Sequence, residues 1–292
     1  SSAASDVYKR QVYLLSVRTV RKESDMKQIT SARCISCIPE VVPKKRSNNK
    51  KLKLLITNKR IDWGFKQSML MIQSRLQQIM RRTGDKVLLI TSTIPAEGKT
   101  MTAVNMALAF AQEGMKVALL DGDLRKPSVC ELMKLPEGPG LTEYFRGEST
   151  PEEIQVVKDG VTFFRAGQKK GKVSGLIDEE KMNSLLEKLR KEYDVILMDA
   201  APSYVFSDAM ILSSYADKVL YVVRVDKADA KAIQVGMNSF EEKEKLIGYV
   251  INRDTGGYIS QSRYGYGRYG KYQKYRKYAE LDEETMNTED TL

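Results

Sequence analysis

Short apolar runs alternate with stretches of helical periodicity along most of the chain from residue 86 onward. The runs are bounded by polar or turn residues and read KVLLITS, KVALLD, VTFFRAG, DVILMD, KVLYVVRV and IGYVIN. Helical stretches lie between most of them, at residues 100–114, 178–191, 207–216 and 229–245. Uninterrupted apolar strands that alternate with helices are typical of a parallel sheet covered on both faces. The pattern therefore predicts an α/β fold with a mostly parallel central sheet flanked by helices.

Three shorter features are predicted before this region. An amphipathic helix is expected over residues 62–80, because apolar side chains recur there at helical spacing: Phe65, Met69, Ile72, Leu76 and Met80. The stretch ARCISCIPEVV predicts a short strand that ends at Pro39. Residues 43–53, PKKRSNNKKLK, carry basic and amide side chains with nothing to bury, so they indicate a linker.

The apolar periodicity ends after residue 256, and a different composition begins. Residues 263–278 read RYGYGRYGKYQKYRKY, which holds six tyrosines and no aliphatic side chain. The six basic residues of the tail all precede Tyr278, and its six acidic residues all follow it. Such a segment cannot bury enough surface to order itself, so the sequence predicts a disordered, tyrosine-rich C-terminal tail.

These patterns divide the chain into four parts. Residues 1–11, SSAASDVYKRQ, resemble a stretch associated with sequences assembled from raw reads, and they are excluded from fold reasoning. Residues 12–61 form a leader with a basic linker, residues 62–256 form the α/β domain, and residues 257–292 form the tail.

Composition and charge narrow the classes of function. The chain has no histidine, which excludes Ser-His-Asp triads, Cys-His pairs and histidine metal sites. The net charge of +10 is uneven, because residues 1–86 carry +14 and the remainder carries −4. A basic leader indicates a nucleic-acid arm or a segment beside an anionic membrane surface.

The cysteines indicate structural positions in a reducing compartment. Cys34 and Cys37 have CxxC spacing, but they fall in the predicted strand, and neither a second pair nor a histidine completes a zinc site. With Cys130 the count is odd, which fits a reducing cytosol. No run reaches the roughly 18 apolar residues of a spanning helix. The fragment itself is therefore expected to be soluble.

The first strand of the α/β region leads into TSTIPAEGKT, residues 91–100, and then into a helix. A Gly-Lys-Thr sequence at a strand-to-helix turn is the core of a phosphate-binding loop. Lys99 would bridge the β- and γ-phosphates of a nucleotide, and the Thr100 hydroxyl would bind magnesium. The predicted nucleotide-binding residues of the loop are Ala96, Glu97, Gly98, Lys99, Thr100 and Met101.

Acidic side chains follow two further strands. Asp121 and Asp123 end the run ALLDGD two residues apart, and Asp199 ends VILMD. Ligands of open parallel sheets bind at the carboxyl ends of the strands, where magnesium and a general base both need carboxylates. The sequence therefore predicts a metal site formed by Thr100, Asp121 and Asp199.

The motifs TSTIPAEGKT, ALLDGDLRKP and VILMDAAP, together with the tyrosine-rich tail, resemble the bacterial tyrosine kinases. In that family the three motifs are Walker A, A′ and B. The resemblance covers roughly residues 62–278 and implies a P-loop fold that binds ATP and Mg²⁺. It also implies that the protein phosphorylates its own tail and thereby regulates the polymerisation and export of capsular or extracellular polysaccharide.

The resemblance and the chemistry of phenols together suggest roles for individual residues. The predicted catalytic residues are Lys99, Asp121 and Asp123. Because a phenol has a pKa near 10, its attack on a phosphate needs a proton acceptor. Asp121 is favoured as that base with Asp123 as metal partner, and the exchanged roles stay open. Asn252 matches a family position for adenine contact. The expected phosphoacceptors are Tyr264, Tyr266, Tyr269, Tyr272, Tyr275 and Tyr278.

Residues 18–42 also resemble the cytoplasmic end of the Wzz-type chain-length determinants. This resemblance implies a transmembrane Wzz-type activator, fused or separate, at the cytoplasmic face of the bacterial plasma membrane. The family further implies self-association for phosphorylation in trans and a phosphotyrosine phosphatase as partner. Nucleic acid is not expected as a partner.

Several positions depart from the family pattern, and two other functions stay open. The charged ExxRxxR pattern that joins subunits into a ring falls on Gln67, Leu70 and Gln73, which are uncharged.

One alternative is a ParA/MinD-like ATPase without kinase activity, although Ile94 stands where those proteins carry a second lysine. The other is a tail that stacks on single-stranded nucleic acid. A GTPase is disfavoured because Thr255 occupies the position of the base-reading aspartate.

Overall fold

An eight-stranded sheet forms the centre of the computed structural model, which describes residues 19–41, 54–168, 175–241 and 244–255. The strands are β1 (Cys34–Pro39), β2 (Val87–Ser92), β3 (Val117–Asp121), β4 (Gln155–Lys158), β5 (Val161–Phe164), β6 (Val195–Asp199), β7 (Lys218–Arg224) and β8 (Leu246–Asp254). Their order across the sheet is β1-β8-β7-β2-β6-β3-β5-β4. All neighbouring strands are parallel except β4 and β5. The predicted fold class is confirmed.

Helices lie between the strands in the chain. They are α1 (Glu23–Ile29), α2 (Trp63–Thr83), α3 (Lys99–Gln112), α4 (Val129–Met133), α5 (Leu141–Arg146), α6 (Glu179–Glu192), α7 (Asp208–Tyr215) and α8 (Ala230–Glu241). The amphipathic helix α2 begins where an Asp62 carboxylate oxygen accepts a hydrogen bond from Phe65 N at 3.2 Å. It ends at Gly84, whose φ of 75° is the left-handed conformation that closes helices.

The sheet has apolar side chains on both faces, as expected for parallel strands under helices. All residues of β2, β3, β5 and β6 are buried. Leu88, Ile90 and Leu119 pack in one hydrophobic cluster with side chains of α2 and α3. On β7, Tyr221 contacts Phe240 of α8, with ring centroids 6.2 Å apart.

The carboxyl ends of the central strands lie together at one edge of the sheet. In the parallel register, Asp121 at the end of β3 is opposite Asp199 at the end of β6. Asp199 is also opposite Ile90 of β2, two residues before that strand ends. Strand β2 lies between β6 and β7. The loop after β2 therefore opens at a topological switch point of the sheet, where ligands of open α/β sheets bind.

Strand β1 is an edge strand of this same sheet, because it pairs with β8 through Ile38 and Asn252. The predicted leader, residues 12–61, and the predicted domain, residues 62–256, therefore contribute strands to one sheet. The leader is also tied to the loop after β7, since Asp226 N donates a hydrogen bond to Val20 O at 2.9 Å.

The elements that periodicity missed are the short ones: α1, α4, α5 and β4. The shortest of these cover only a turn of helix or a few strand residues, too little for a period to repeat. The predicted strand at CISCIP is confirmed as β1. The predicted linker at 43–53, the segment 1–11 and the tyrosine-rich tail lie outside the described residues. In the part that is described, no helix is long and apolar enough to cross a membrane.

Candidate active site

The loop between β2 and α3 turns through two left-handed backbone positions. Ala96 has a φ of 68° and Gly98 a φ of 100°, a conformation that favours glycine. A Cβ atom on Gly98 would lie 2.1 Å from Asn252 Nδ2, so the loop also needs the absence of a side chain there. Helix α3 begins at Lys99, which directs its first backbone N–H groups toward the loop.

Lys99 contacts two of the predicted carboxylates. Its side chain is largely buried, and Nζ lies 2.7 Å from Asp123 Oδ2 and 3.4 Å from Asp199 Oδ1. Burial by itself would lower the pKa of Lys99, but Asp199 and Asp123 outweigh burial and raise the pKa. The ammonium group is therefore retained at neutral pH.

Thr100 is hydrogen-bonded to the same aspartate from the next position of α3. Its Oγ1 donates to Asp199 Oδ2 at 2.6 Å. Ser128 Oγ in turn donates to Thr100 Oγ1 at 3.1 Å. The sequence analysis missed Ser128, which stands just before α4, and only its place after the run DGDLRKP could have drawn attention to it.

Asp121 is fully buried and incompletely satisfied. Its Oδ2 accepts a hydrogen bond from Val129 N at 3.2 Å, whereas Oδ1 has no hydrogen-bond partner among the described residues. Burial, together with the nearby charge of Asp199, raises the pKa of Asp121 well above its ordinary value. Burial also raises the pKa of Asp199. A buried carboxylate oxygen without a donor is an available acceptor for a proton or a cation.

The residues present suit magnesium rather than a preformed metal cage. No group of three or more His, Cys, Asp or Glu in the described ranges could hold a metal ion by itself. Magnesium is commonly bound through one or two carboxylates together with substrate phosphates, and it keeps several waters. The hydroxyl–carboxylate pair of Thr100 and Asp199 offers oxygen ligands of this kind, and the unpartnered Asp121 Oδ1 can accept either the cation or a proton.

The structure brings Lys99, Thr100, Asp121, Asp123 and Asp199 together at one end of the sheet. Asn252 lies at this end as well, where its Nδ2 donates to Glu97 O at 2.7 Å. Met101 is half-buried, and its Cε would be 3.6 Å from a Cβ on Gly98. The six predicted phosphoacceptor tyrosines lie outside the described residues.

The three uncharged positions of the ring pattern lie on α2. Gln73 is 3% exposed, and its Nε2 donates to Gln77 Oε1 at 3.1 Å. Gln67 and Leu70 are half-buried. The expectation that ring salt bridges are missing at these positions stays a prediction.

Arg125 joins the two loops that border the site, and the sequence analysis missed it. Its guanidinium makes two hydrogen bonds to Asp208, one of them from Nη2 to Oδ1 at 3.2 Å. The same group lies 4.5 Å from the centre of the Phe206 ring. Arg125, the arginine of the run ALLDGDLRKP, thus holds the loop after β3 against the start of α7.

Comparisons with known proteins agree with this geometry. A ParA family model described as "NUBPL iron-transfer P-loop NTPase" matches residues 84–233. The tyrosine-protein kinase CpsD of Streptococcus pneumoniae is 33% identical over 196 residues, which are 63% of this chain and 82% of CpsD. The tyrosine-protein kinase etk of Escherichia coli is 28% identical over 194 residues, which are 64% of this chain and 27% of that protein.

A solved structure shares the fold of this chain. The chimerical protein CapA2B2 superposes with a TM-score of 0.70 at 25% identity, over 80% of this chain and all of that chain. The phosphate-binding loop, the acidic strand ends and the family match define a P-loop nucleotide-binding protein of the ParA type. Within that class, the chain belongs to the family of bacterial tyrosine-protein kinases.

Proposed function

We propose that this chain is an ATP-dependent protein-tyrosine kinase that phosphorylates tyrosines of its own C-terminal tail. One observation carries the proposal: Lys99 and Thr100, at the turn into α3, both contact Asp199 at the end of β6, and Lys99 also contacts Asp123. An ammonium group, a hydroxyl and two carboxylates therefore lie beside one loop, and this combination supports a nucleotide site there.

The side chains of the site divide into groups that bind and a group that accepts a proton. Backbone N–H groups of the loop and the ammonium group of Lys99 would bind the β- and γ-phosphates. Magnesium, when bound, neutralises part of the phosphate charge, and Thr100, Asp199 and Asp123 would hold it. To reach the nucleotide, the Lys99 ammonium must leave Asp123, which frees that carboxylate.

The transfer step needs an acceptor for the phenolic proton. The tyrosine oxygen bonds to the γ-phosphorus while the bond from that phosphorus to the bridging oxygen breaks, and ADP leaves. Asp123 is a poorer candidate, since its Oδ1 accepts from Lys126 N at 3.0 Å and the oxygen that Lys99 leaves would hold magnesium. Asp121 has the unpartnered oxygen and the raised pKa, so we assign the proton to Asp121.

The proposed biological role rests on the resemblance to the bacterial tyrosine kinases. CpsD and etk are both tyrosine-protein kinases. We propose that this chain regulates polymerisation and export of capsular or extracellular polysaccharide at the cytoplasmic face of the membrane. A Wzz-type activator and a phosphotyrosine phosphatase are its proposed partners, and a second copy of the chain presents the tail.

Mass spectrometry of the tail after incubation of the full chain with ATP and magnesium tests this function. We expect phosphate on Tyr264, Tyr266, Tyr269, Tyr272, Tyr275 or Tyr278. Lys99→Met should abolish the modification and keep the circular dichroism spectrum of the parent, because the side chain is needed for the phosphates and not for the sheet. Lys134→Met, at an exposed lysine away from the loop, serves as the matched control.

Two results would contradict the proposal. Retained phosphorylation in the Lys99→Met protein would remove the loop from the mechanism. Nucleotide binding and hydrolysis without any phosphotyrosine would favour the ParA/MinD-like ATPase instead.

A further inference from the structure

The outer side of the phosphate-binding loop is supported by the ends of β7 and β8. Arg224 Nη1 donates to Ala96 O at 3.0 Å, and Asn252 Nδ2 donates to Glu97 O at 2.7 Å. These two bonds hold loop carbonyl oxygens away from the side where a phosphate would lie. The neighbouring N–H groups are thereby left free to face the ligand.

The side chain of Glu97 supplies a third support, and it is fully buried. Its Oε2 accepts from Ile94 N at 2.8 Å, in the first half of the loop. Its Oε1 accepts from Arg224 N at 3.2 Å, at the end of β7. One carboxylate therefore connects the start of the loop to the neighbouring strand.

The ionised form of Glu97 is the better acceptor for both contacts. Each partner is a backbone N–H, which donates and cannot accept, so the O–H of a protonated carboxyl would have no acceptor there and its oxygen would accept more weakly. The guanidinium of Arg224 is directed to Ala96 O rather than to the carboxylate. Burial raises the pKa of Glu97 to about 7, although backbone N–H groups, including those of Ile94 and Arg224, act against it.

The charged and titratable groups around Glu97 are few. On the side of β7 they are Arg224 and Tyr221, and beyond that strand Lys227 lowers the pKa of the carboxyl group. From β8 the neighbour is the neutral amide of Asn252. The balance between protonated and ionised Glu97 is thus decided mainly by burial.

We propose that Glu97 is a positioning residue of the phosphate-binding loop: its ionised carboxylate fixes the first half of the loop to β7 in the form that receives the triphosphate. The loop needs such support because Ala96, a residue with a Cβ, has a left-handed φ of 68°. The proposal rests on the proposed function, since it assumes that this loop binds ATP.

The test compares the parent, Glu97→Gln and Glu143→Gln. Glu143 is a matched control: it is also buried and accepts from two backbone N–H groups, Gly140 N at 2.8 Å and Gln168 N at 3.2 Å, outside the loop. Affinity for ADP with magnesium is measured by calorimetry from mildly acidic to mildly alkaline pH. Titration of the nucleotide itself affects all three proteins equally. It therefore cancels when the affinity of each variant is divided by that of the parent at the same pH.

We expect Glu97→Gln to bind ADP about tenfold more weakly than the parent above neutral pH, the loss of one charge-assisted hydrogen bond. The ratio of the two affinities should fall toward one as the pH drops through about 7, because Glu97 of the parent then becomes as uncharged as the glutamine of the variant. Glu143→Gln should match the parent throughout. Equal affinity of the parent and Glu97→Gln at all pH values would overturn the proposal.

Thermal unfolding supplies a readout that a merely structural role would not give. A raised pKa in the folded state means that stability is greatest with Glu97 protonated and is lost as the pH rises toward about 7. Glu97→Gln should therefore unfold at a higher temperature than the parent in alkaline buffer, and at the same temperature in acid. A lower unfolding temperature at every pH would assign Glu97 a structural role only.

A spectroscopic measurement covers the case in which Glu97→Gln fails to fold. In the nucleotide-free parent, the amide proton signals of Ile94 and Arg224 should shift together with a midpoint near pH 7. Signals that stay constant from acidic to alkaline pH would overturn the proposal, because they would show that no ionisable group contacts these two N–H groups. If the parent binds no nucleotide at all while these signals titrate, the proposed function fails rather than the contact made by Glu97.

Discussion

Three buried carboxylates lie at the phosphate-binding loop, and Lys99 Nζ contacts two of them, Asp123 at 2.7 Å and Asp199 at 3.4 Å. The third, Asp121, has no ion-pair contact among the described residues, and one of its oxygens has no donor. Burial and the nearby charge of Asp199 raise the pKa of Asp121, and the hydrogen bond from Val129 N does not offset them. At the scale of single residues, the structure therefore gives Asp121 and Asp123 different surroundings, where the sequence favoured Asp121 as the base and left the exchanged roles open.

Asp121→Asn should lower the rate of tail phosphorylation by about 10²–10⁴-fold, because the amide cannot accept the phenolic proton. The fold should survive, since the asparagine is of the same size and can keep the hydrogen bond from Val129 N. Single-turnover kinetics at saturating ATP and magnesium measure the effect. Asp178→Asn, at the first residue before α6, is the matched control with an unchanged rate. A defect that excess magnesium restores would instead make Asp121 a metal ligand.

At the scale of secondary structure, one aspartate fastens the starts of two strands. Asp217 Oδ2 accepts from Lys86 N and Val87 N, both at 2.8 Å, at the beginning of β2. Arg190 of α6 donates to the same carboxylate, with Nη2 at 2.6 Å from Oδ1. Burial alone would raise the pKa of Asp217, but Arg190 and these N–H groups outweigh it and lower the pKa. Asp217, just before β7, thus connects the start of β2 to α6 at the end of the sheet opposite the site.

Asp217→Asn should destabilise the folded chain by about 1–2 kcal/mol at neutral pH, because it removes a partly buried, charge-assisted acceptor. The lowered pKa means that the contribution is present above the unfolded value of about 3.9 and is lost as the pH falls through the folded value. Urea unfolding of both proteins at neutral and acidic pH measures the difference. Asp194→Asn should cost less, since exposed Asp194 accepts one N–H from Lys116. A difference that grows in acid would contradict the assignment.

At the scale of the whole molecule, charge is separated along the chain. The net charge of +10 comes from the leader, and the tail has its basic residues before Tyr278 and its acidic residues after it. Each phosphate on tyrosine adds about −1.5 to −2 charge at neutral pH. Modification of the six tyrosines would turn the basic stretch strongly acidic and weaken its attraction to anionic lipid headgroups.

Binding of the full chain to vesicles with anionic lipid should therefore weaken after incubation with ATP and magnesium. A variant with the six tyrosines of residues 263–278 changed to phenylalanine should bind equally before and after the incubation, because it keeps the basic charges and accepts no phosphate at those six positions. Co-sedimentation at two salt concentrations measures both, with neutral vesicles as the control. If ATP releases the phenylalanine variant as well, the tail phosphates do not control this contact.

The sequence by itself determined the class of fold and the motif residues of the site, but not the contacts of Ser128 or Arg125. Apolar runs and helical spacing are local patterns, and Gly-Lys-Thr and the two acidic motifs occur at strand ends, which local patterning also shows. The contacts depended on tertiary structure, since Lys99 and Asp199 are 100 positions apart and Glu97 and Arg224 are 127 apart. Only the folded sheet decided that β1 joins it, that Asp121 keeps an unpartnered oxygen, and that Glu97 and Asn252 support the loop. The physical reason is that burial and hydrogen-bond geometry depend on which strands become neighbours in the sheet. No local stretch of the sequence determines that strand order.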